Sequence, residues 1–393
     1  MADQVLRGVR ILDFGRYIAG PFCAALLADF GADVIRIERI GGGEDRFIYP
    51  VAEDGGALFL QMNRNKRGMT LDLKSADGRQ ILERLVAGSD VVVANLPCDT
   101  LRDLHLDYES LVQLRPDVIL TAVSAFGTEG PYAQRVGFDG IGQAMSGAAH
   151  LSGFGQPTKA FASWVDMTSA MLAAFGTMAA LHDRSRTGRG QIVQANLFTS
   201  ALTVMNFALI EQALTGADRQ ASGNRAQSGA PADCLATRDG WIMIQVIGDA
   251  LFRRWATLVE QTDWLDDPRF ATDALRSDNG AILSERTARW CRDLTSETAL
   301  ALLAEARIPA GPVLSPRQVL QDPHVAAAGL LQDMTYPGAP GPVPLVMKAV
   351  GLSETPAGLW RRAPTLGEHT REILAELGYS QPEADAFAAA KVI

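Results

Sequence analysis

The chain has 393 residues, which exceeds the size at which one hydrophobic core usually keeps growing, so we expect two domains. Hydrophobic residues make up 47% and charged residues 21%, a composition typical of an ordered globular protein and too well mixed for a disordered one. The formal net charge of −9 argues against nucleic acid as a partner, because such proteins need a surplus of Lys and Arg to displace counterions from phosphates.

The first part of the chain alternates between predicted strands and helices. Residues 9–14 predict a buried strand, residues 20–30 a helix that ends at Gly31, and residues 33–38 a second strand. The alternation continues through residues 69–73, 78–85, 90–96, 108–114 and 118–126. We therefore predict an α/β fold with a doubly wound, mostly parallel sheet that binds ligands at the carboxyl ends of its strands. The first turn, residues 15–20, lacks the GxGxxG pattern of a dinucleotide site.

The later part of the chain changes character. A predicted helix over residues 168–182, a returning strand over 188–197 and a long helix over 198–214 are followed by a polar, Gly- and Ser-rich stretch. A hairpin at 234–246 and helices at 250–260, 281–294 and 297–306 then predict a smaller α+β domain. We expect a large domain over residues 1–215, a linker over 216–231, a small domain over 232–307, a return linker over 308–344, and a C-terminal segment over 345–393 that completes the large domain.

The cysteines, histidines and apolar runs bear on cofactors and location. The four cysteines form no CxxC pair and the five histidines lack metal-ligand spacing, so we expect no metal site, no prosthetic group and no disulfide framework. The amino terminus lacks a signal-peptide profile, and we expect no stretch of about 20 apolar residues that could span a membrane. The sequence thus predicts a cytoplasmic protein.

Two basic clusters, RNKR at residues 64–67 and RSRTGR at residues 184–189, are each open to two interpretations. Either cluster is a candidate phosphate site, and either also fits solvated surface charge. The Gly-rich run at residues 41–45 likewise fits a nucleotide-binding loop or a flexible loop.

Asp166 is the most informative single residue of the chain. It lies in the segment ASWVDMTS, residues 162–169, directly before an apolar run that predicts a helix. Asp is a favoured N-cap because its carboxylate accepts hydrogen bonds from the free N–H groups of the first helical turn. The same position leaves a carboxylate ionised and pointing outward, where it can act as a nucleophile. From the residues alone, both interpretations stay open.

A series of motifs runs in order along nearly the whole chain. They are LDFGRYIAGPF (12–22), LLADFGADVIRIER (26–39), NRNKRGMTLDLK (63–74), FGTEGPY (126–132), GFDGIGQAMSG (137–147), GRGQ (188–191), DPRF (267–270), IPAGPV (308–313), QDPH (321–324) and LGEHTREILAELGY (366–379). In these motifs the chain resembles the family III CoA-transferases, the group that contains formyl-CoA transferase and carnitine CoA-transferase. The resemblance implies a Rossmann-like large domain, an interlocked homodimer, and acyl-CoA and carboxylic acid substrates.

The resemblance also implies roles for particular residues. It places the nucleophile at Asp166, whose carboxylate would form an aspartyl anhydride and then an aspartyl-CoA thioester. For CoA binding it implies the matching positions Arg39, Leu71, Lys74, Asn95, Leu96 and Leu104, with Arg102 as a substitute cation. Substrate contacts are expected from Arg16, Tyr17, Ile18, Phe59 and Asp139.

The acceptor acid is only partly suggested. Arg16 and Tyr17 favour a dicarboxylate such as succinate, malate or a methyl-branched C5 acid, although Arg16 could instead tie down its own turn. Ile18 and Phe59 stand where the formyl-CoA transferases that this chain resembles carry polar residues near oxalate. Oxalate is therefore disfavoured as the acceptor.

Two other functions stay open beside CoA transfer. The related α-methylacyl-CoA racemases need a His as acid or base, and this chain has Phe138 at that position, although His150 lies nearby in sequence. A CoA-binding protein without catalysis is the other alternative. Its support is the departure from the family pattern at Pro97, Cys98 and Asp99.

Overall fold

The structure is a computed structural model that describes residues 4–346 and 349–393. Its strands are β1 Arg10–Asp13, β2 Asp33–Glu38, β3 Pro50–Ala52, β4 Gly55–Gly56, β5 Lys66–Thr70, β6 Val91–Ala94, β7 Ile119–Ser124, β8 Ile192–Asn196, β9 Ala232–Ala236, β10 Trp241–Gln245, β11 Ala310–Pro312, β12 Leu331–Met334 and β13 Val343–Val346. Its α-helices are α1 Ala19–Asp29, α2 Ala57–Met62, α3 Ala76–Ala87, α4 Cys98–Asp103, α5 Tyr108–Leu114, α6 Asp139–Met145, α7 Ala148–Leu151, α8 Trp164–Thr187, α9 Leu197–Thr215, α10 Asp249–Leu258, α11 Asp273–Asp278, α12 Gly280–Cys291, α13 Ser296–Glu305, α14 Pro316–Leu320, α15 Pro323–Ala327, α16 Thr370–Glu376 and α17 Gln381–Ala389.

The central sheet has six strands in the order β5-β2-β1-β6-β7-β8, and every neighbouring pair is parallel. The predicted α/β fold with a parallel sheet is confirmed. Apolar runs such as Val91–Ala94 are completely buried because helices cover both faces of the sheet. The winding direction changes between β1 and β6, which are neighbours in the sheet. A crevice at the carboxyl ends of these strands is where this topology binds ligands.

A second sheet of three antiparallel strands has the order β11-β10-β9. The predicted hairpin is confirmed, since Trp241 pairs with Ala236 and Gln245 with Ala232. A core around the fully buried Trp255 joins this sheet to α10, α12 and α13. Strand β11 was not predicted, because Pro312 lacks a backbone N–H donor and proline disfavours strands except at an edge such as this one.

Contacts divide the described residues into two compact units. The first unit holds the central sheet and comprises the chain up to residue 146, residues 160–210 and residues from 326 onward. The second unit holds the three-stranded sheet and comprises residues 147–159 and 211–325. Residues 147–159 therefore group with the second unit, although they lie inside the range predicted for the large domain. Sequence periodicity does not show such a short excursion, since it carries only the four-residue helix α7.

Helices α8 and α9 are long and apolar enough to cross a membrane by length and composition. On these two criteria the expectation of no such stretch was wrong. Their most apolar windows are 33% and 22% buried in this structure. Small residues of α8, including Ala170 and Ala173, are completely buried where α8 packs against α1. Length and composition alone do not distinguish a membrane span from a helix of a soluble protein.

The basic cluster at residues 64–67 is neither a phosphate site nor solvated charge, and both interpretations were wrong. Arg64 pairs with Asp29 at 2.6 Å, Lys66 with Asp13 at 2.7 Å, and Arg67 with Asp33 at 2.7 Å. All three cations are buried, with exposed fractions of 7%, 0% and 6%. Burial of a cation requires a partner at hydrogen-bonding distance, and these acids come from α1, β1 and β2. The cluster therefore ties β5 to the elements beside it.

Candidate active site

Helix α8 begins at Trp164, and the residue before it, Ser163, makes no side-chain capping hydrogen bond. Asp139, at the start of α6, supplies the acceptor instead. Its Oδ1 accepts hydrogen bonds from the backbone N–H of Val165 at 2.8 Å and of Asp166 at 3.1 Å. The interpretation of Asp166 as the N-cap is therefore wrong, because an acid 27 residues upstream performs that function.

Asp166 is the third residue of α8, in its first turn, and its side chain is half-buried. Within the described ranges, no hydrogen bond or ion pair reaches its carboxylate oxygens. Burial, and after it the charge of Asp139, raises the pKa of Asp166 to about 7. A carboxylate with no donor to stabilise its charge is a stronger base and nucleophile than an ordinary aspartate.

Asp139 and Gln143 hold the entry to α8 in place. The Gln143 Nε2 donates to Asp139 Oδ2 at 2.5 Å, and the Gln143 Oε1 accepts from the backbone N–H of Ala160 at 2.8 Å. Asp139 is only 7% exposed, and both of its carboxylate oxygens are engaged. This predicted substrate contact is thus in position to orient Asp166, the residue 27 positions later.

A cavity of about 700 Å³ lies at the carboxyl ends of four neighbouring strands of the central sheet. Each strand contributes the residues that directly follow it, as expected for a parallel sheet. The lining residues after β1, β2, β5 and β6 are Phe14, Gly15 and Arg16; Arg39, Ile40 and Gly41; Leu71, Asp72, Leu73 and Lys74; and Leu96, Thr100 and Leu104.

Five of the seven residues predicted to bind CoA line this cavity, namely Arg39, Leu71, Lys74, Leu96 and Leu104. Asn95 and Arg102 do not. The Asn95 amide is occupied by the backbone of Arg16, since it accepts from the Arg16 N–H at 2.6 Å and donates to the Arg16 carbonyl at 2.8 Å. Arg102 is 64% exposed and pairs with Asp99 at 2.7 Å.

The cavity lining is positively charged although the chain as a whole is acidic. It contains five basic side chains and three acidic ones. Arg36 is buried and pairs with Asp45 at 2.9 Å, and Glu44 bridges Arg16 at 2.5 Å and Arg39 at 3.0 Å. The two lysines of the lining, Lys74 and Lys391, make no ion pair among the described residues.

The loop after β1 connects this cavity to the neighbourhood of Asp166. Tyr17 adopts a left-handed conformation with φ of 60°, and its ring meets the ring of Phe138 edge-on at 5.7 Å. Phe138 directly precedes Asp139, the residue that caps α8. Arg16 and Tyr17 thus lie between the cavity and the start of α8.

Ile18 and Phe59, also predicted as substrate contacts, are buried at 7% and 1% exposure and do not line the cavity. Phe59 packs beneath the guanidinium of Arg46, whose centre lies 4.0 Å from the ring centroid.

Lys391 does line the cavity, and sequence reasoning missed it. It is the third residue from the end of the printed sequence, and no local pattern connects it with strands nearly 300 or more residues earlier.

Comparison with known proteins gives one family. The family described as CoA-transferase family III matches residues 6–370. The chain is 35% identical to the succinyl-CoA–D-citramalate CoA-transferase of Chloroflexus aurantiacus, over 99% of this chain and 98% of that protein. It is 34% identical to the succinate–glutarate CoA-transferase of Agrobacterium fabrum, over 95% of each protein. A crystal structure of a CaiB/BaiF family protein from Brucella suis superposes with a TM-score of 0.83 at 33% identity, over 95% of this chain and 100% of that one.

Proposed function

Because this chain belongs to CoA-transferase family III and is a CoA-transferase, we propose that it moves CoA from succinyl-CoA to a short dicarboxylic acid, with Asp166 as the covalent nucleophile. One observation carries this proposal. The Asp166 carboxylate is half-buried at the start of α8 with no partner among the described residues, while a neighbouring acid takes over the cap. Citramalate and glutarate, which the two relatives named above act on, are both dicarboxylic acids, and this supports the acceptor class.

The proposed first half-reaction transfers no proton and therefore needs no general base. A carboxylate oxygen of Asp166 attacks the thioester carbonyl carbon of the donor, the C–S bond breaks, and CoA leaves as the thiolate, which produces a mixed anhydride. The thiolate then attacks the aspartyl carbonyl carbon of this anhydride. The bond from that carbon to the bridging oxygen breaks, so the donor acid departs with one oxygen from Asp166 and an aspartyl-CoA thioester remains.

The second half-reaction reverses these steps with the acceptor. A carboxylate oxygen of the acceptor attacks the aspartyl thioester and releases the CoA thiolate, which forms a second mixed anhydride. The thiolate attacks the acceptor's acyl carbon and regenerates the Asp166 carboxylate. One oxygen of Asp166 now comes from the acceptor. Each anhydride must be kept from water, which requires the site to close around it.

We propose that the cavity at the carboxyl ends of β1, β2, β5 and β6 takes the CoA nucleotide. Arg39 and Lys74 supply cations for phosphate groups, which form strong charge-assisted hydrogen bonds. The lining leucines supply apolar contacts. Asn95 acts through the Arg16 backbone that it holds at 2.6 and 2.8 Å. Arg102, on the exposed face of α4, would contribute only long-range charge.

For the acceptor, we propose that Arg16 binds the distal carboxylate beside Tyr17. The Arg16 guanidinium already binds a carboxylate, that of Glu44, at 2.5 Å, and 44% of its side chain is exposed. A substrate carboxylate can therefore replace Glu44 with the same geometry. Asp139 contributes to this site by positioning Asp166. Ile18 and Phe59 contribute as buried residues of the core that supports the site.

Oxygen transfer tests the covalent mechanism directly. The enzyme is incubated with succinyl-CoA and an acceptor dicarboxylate labelled with ¹⁸O in its carboxyl groups, and the released succinate is analysed by mass spectrometry. In a single turnover the released succinate should carry no ¹⁸O, because the oxygen that it gains comes from Asp166; over later turnovers the label should rise toward one ¹⁸O atom per succinate, because Asp166 acquires its oxygens from the acceptor. Hydroxylamine trapping should give a modified Asp166 peptide from the same mixture. Succinate that already carries one ¹⁸O atom in a single turnover would indicate direct transfer between donor and acceptor, and exchange of the α-proton in deuterated water would favour the racemase alternative instead.

The rate of the first half-reaction should depend on the ionisation of Asp166. Since the pKa of Asp166 is raised to about 7, the nucleophilic carboxylate is depleted below that pH. We expect kcat/KM for succinyl-CoA to rise with unit slope from pH 5.5 and to level off above about pH 7. An Asp139→Asn variant should shift this profile to lower pH, because the charge of Asp139 contributes to the raised pKa. A profile that is flat between pH 6 and 8 would contradict the assignment.

We also propose an interlocked homodimer in the cytoplasm, as the resemblance implies. Large apolar side chains are exposed on the two long helices of the single chain, among them Phe175 at 76% and Phe207 at 71%. Patches of this kind usually mark interfaces. Light scattering coupled to gel filtration should give twice the chain mass of 42.1 kDa. Phe207→Glu should weaken the dimer, whereas Trp241→Glu, at 53% exposure on the three-stranded sheet, should not. A mass of one chain at micromolar concentration would overturn this proposal.

A further inference from the structure

The last residues of the chain reach the cavity at the carboxyl ends of the central strands. Lys391 lines this cavity together with the residues that follow β5. The backbone carbonyl of Val392 accepts a hydrogen bond from the Asp72 N–H at 2.8 Å, and Val392 is 3% exposed. Val392 and Ile393 pack in the same core as Leu71. The position of Lys391 beside the Leu71–Lys74 loop is therefore set by its neighbours in the chain, and its own side chain is free to face solvent.

The ion pairs around the cavity distinguish its two lysines from its three arginines. The three arginines of the lining, Arg16, Arg36 and Arg39, each have a carboxylate partner within 3.0 Å. The third lining acid, Asp72, accepts the backbone N–H of Lys74 at 3.1 Å. Lys391 and Lys74 are left as the lining cations with no carboxylate partner in the described ranges. Two unneutralised ammonium groups on one concave surface of an acidic chain make a site for a polyanion.

We propose that Lys391 binds a phosphate group at the nucleotide end of CoA, so that the C-terminal residues take part in substrate recognition. This inference rests on the proposed function, which places the CoA nucleotide in this cavity. CoA carries a diphosphate and a 3′-phosphate, and an ammonium group binds such groups as a point charge. Lys391 is thereby a specificity residue that distinguishes CoA thioesters from thioesters without a nucleotide. It takes no part in the covalent steps at Asp166.

The backbone conformation at Lys391 allows a variant that removes the ammonium group and leaves the turn unchanged. Lys391 follows the end of α17 with φ of 56°, and its N–H and that of Val392 bond to the carbonyls of Ala388 and Phe387. Gly378 follows α16 with φ of 85° and the same two hydrogen bonds. Glycine is the residue that favours this conformation, so Lys391→Gly removes the ammonium without straining the turn.

Arg307 provides the matched control. It follows the end of α13 with φ of 54° and the same backbone pattern, and it lies in the second unit and outside the cavity lining. Arg307→Gly therefore removes a cation from an equivalent turn. Lys391→Arg keeps the charge and should retain most of the binding. Comparing these variants separates the loss of an ammonium from the effect of glycine at a helix end.

The experiment measures CoA binding by calorimetry and steady-state kinetics with succinyl-CoA at low ionic strength. For Lys391→Gly we expect CoA affinity to fall, and KM for succinyl-CoA to rise, by about five- to twentyfold with kcat unchanged, as for the loss of one charge-assisted hydrogen bond. Arg307→Gly should match wild type. With succinyl-pantetheine, which lacks all phosphates, Lys391→Gly should be indistinguishable from wild type.

Two results would overturn the inference. One is unchanged CoA affinity in Lys391→Gly, and the other is an equal loss with succinyl-pantetheine, which would indicate a structural effect. A smaller loss with dephospho-CoA than with CoA would identify the 3′-phosphate as the partner, and equal losses would identify the diphosphate; both support the inference. If the wild type binds CoA but transfers it to no acid, the proposed function fails while the assignment of Lys391 is still decided by the binding data.

Discussion

An Asp166→Asn variant is expected to lose CoA transfer by about 10⁴-fold or more and, at the same time, to unfold less readily than wild type at pH 8. The loss follows because the amide can form neither the anhydride nor the aspartyl thioester. The gain in stability follows from the pKa of Asp166, which is raised to about 7, because a carboxylate without a hydrogen-bond donor is costly to ionise in the folded state. Asparagine fills the same space without that charge.

The sign of the pH dependence makes this prediction specific. In the unfolded chain the Asp166 carboxyl loses its proton near its ordinary pKa of 3.8, whereas in the folded chain it holds the proton up to about pH 7. Wild type therefore loses stability as the pH rises through this window, by up to about 4 kcal/mol at 1.36 kcal/mol per pKa unit. The stability difference between Asp166→Asn and wild type should grow from pH 5 to pH 8 and then level off.

Urea unfolding of both proteins across this pH range measures the effect. Asp77→Asn is a suitable control, because Asp77 also lies in the first turn of a helix, α3, but is exposed. Its substitution should change stability by less than about 0.5 kcal/mol. If Asp166→Asn were no more stable than wild type at pH 8, the carboxylate would have a partner that this structure lacks. Retained transfer activity would exclude Asp166 as the nucleophile.

Lys66→Met is expected to destabilise the protein by about 3–5 kcal/mol and to weaken CoA binding with it. The Lys66 ammonium is completely buried and donates to Asp13 at 2.7 Å, to the Pro21 carbonyl at 2.7 Å and to Asn63 at 3.0 Å. Methionine has nearly the same shape but leaves the Asp13 carboxylate, which is also 0% exposed, without its main partner. A buried charge that loses its partner costs much more than a surface pair.

The connection to binding runs through the loop after β1. Asp13 Oδ1 accepts the Gly15 N–H at 2.8 Å, and the guanidinium of Arg36 donates to the Gly15 carbonyl. Gly15 lines the cavity, and a side chain there would collide with Pro21, with its Cβ only 2.6 Å from the Pro21 Cδ. Displacement of Asp13 should therefore move this edge of the cavity.

Lys74→Met is the matched control for Lys66→Met. Lys74 is exposed at the cavity and has no ion pair in the described residues, so its loss should leave the urea midpoint unchanged and lower only the affinity for CoA. Equal stability of Lys66→Met and wild type would show that the buried cluster is not needed for the fold. A Lys74→Met protein that unfolds as easily as Lys66→Met would remove the distinction between the two sites.

The local pattern of apolar and polar residues in the sequence was sufficient to predict much of the fold. The alternation of apolar strands and amphipathic helices predicted the parallel sheet, and β2 occupies the expected residues 33–38. It also placed a binding cavity at the carboxyl ends of the strands, since that position follows from the topology of parallel sheets. Strands β11, β12 and β13 were missed because they are short edge strands next to proline and glycine, where the period of two is too brief to detect.

The sequence by itself therefore determined the family, the parallel sheet, the position of Asp166 at the start of a helix and five of the residues that line the cavity. These depend on periodicity and on contiguous motifs. Only the tertiary structure decided which acid caps α8, which acids neutralise the cluster at residues 64–67, and that Lys391 reaches the cavity. Each of these is a pairing between side chains or segments far apart in the chain. A buried or concave site selects its partners by proximity in space, and no local spacing in the sequence encodes that proximity.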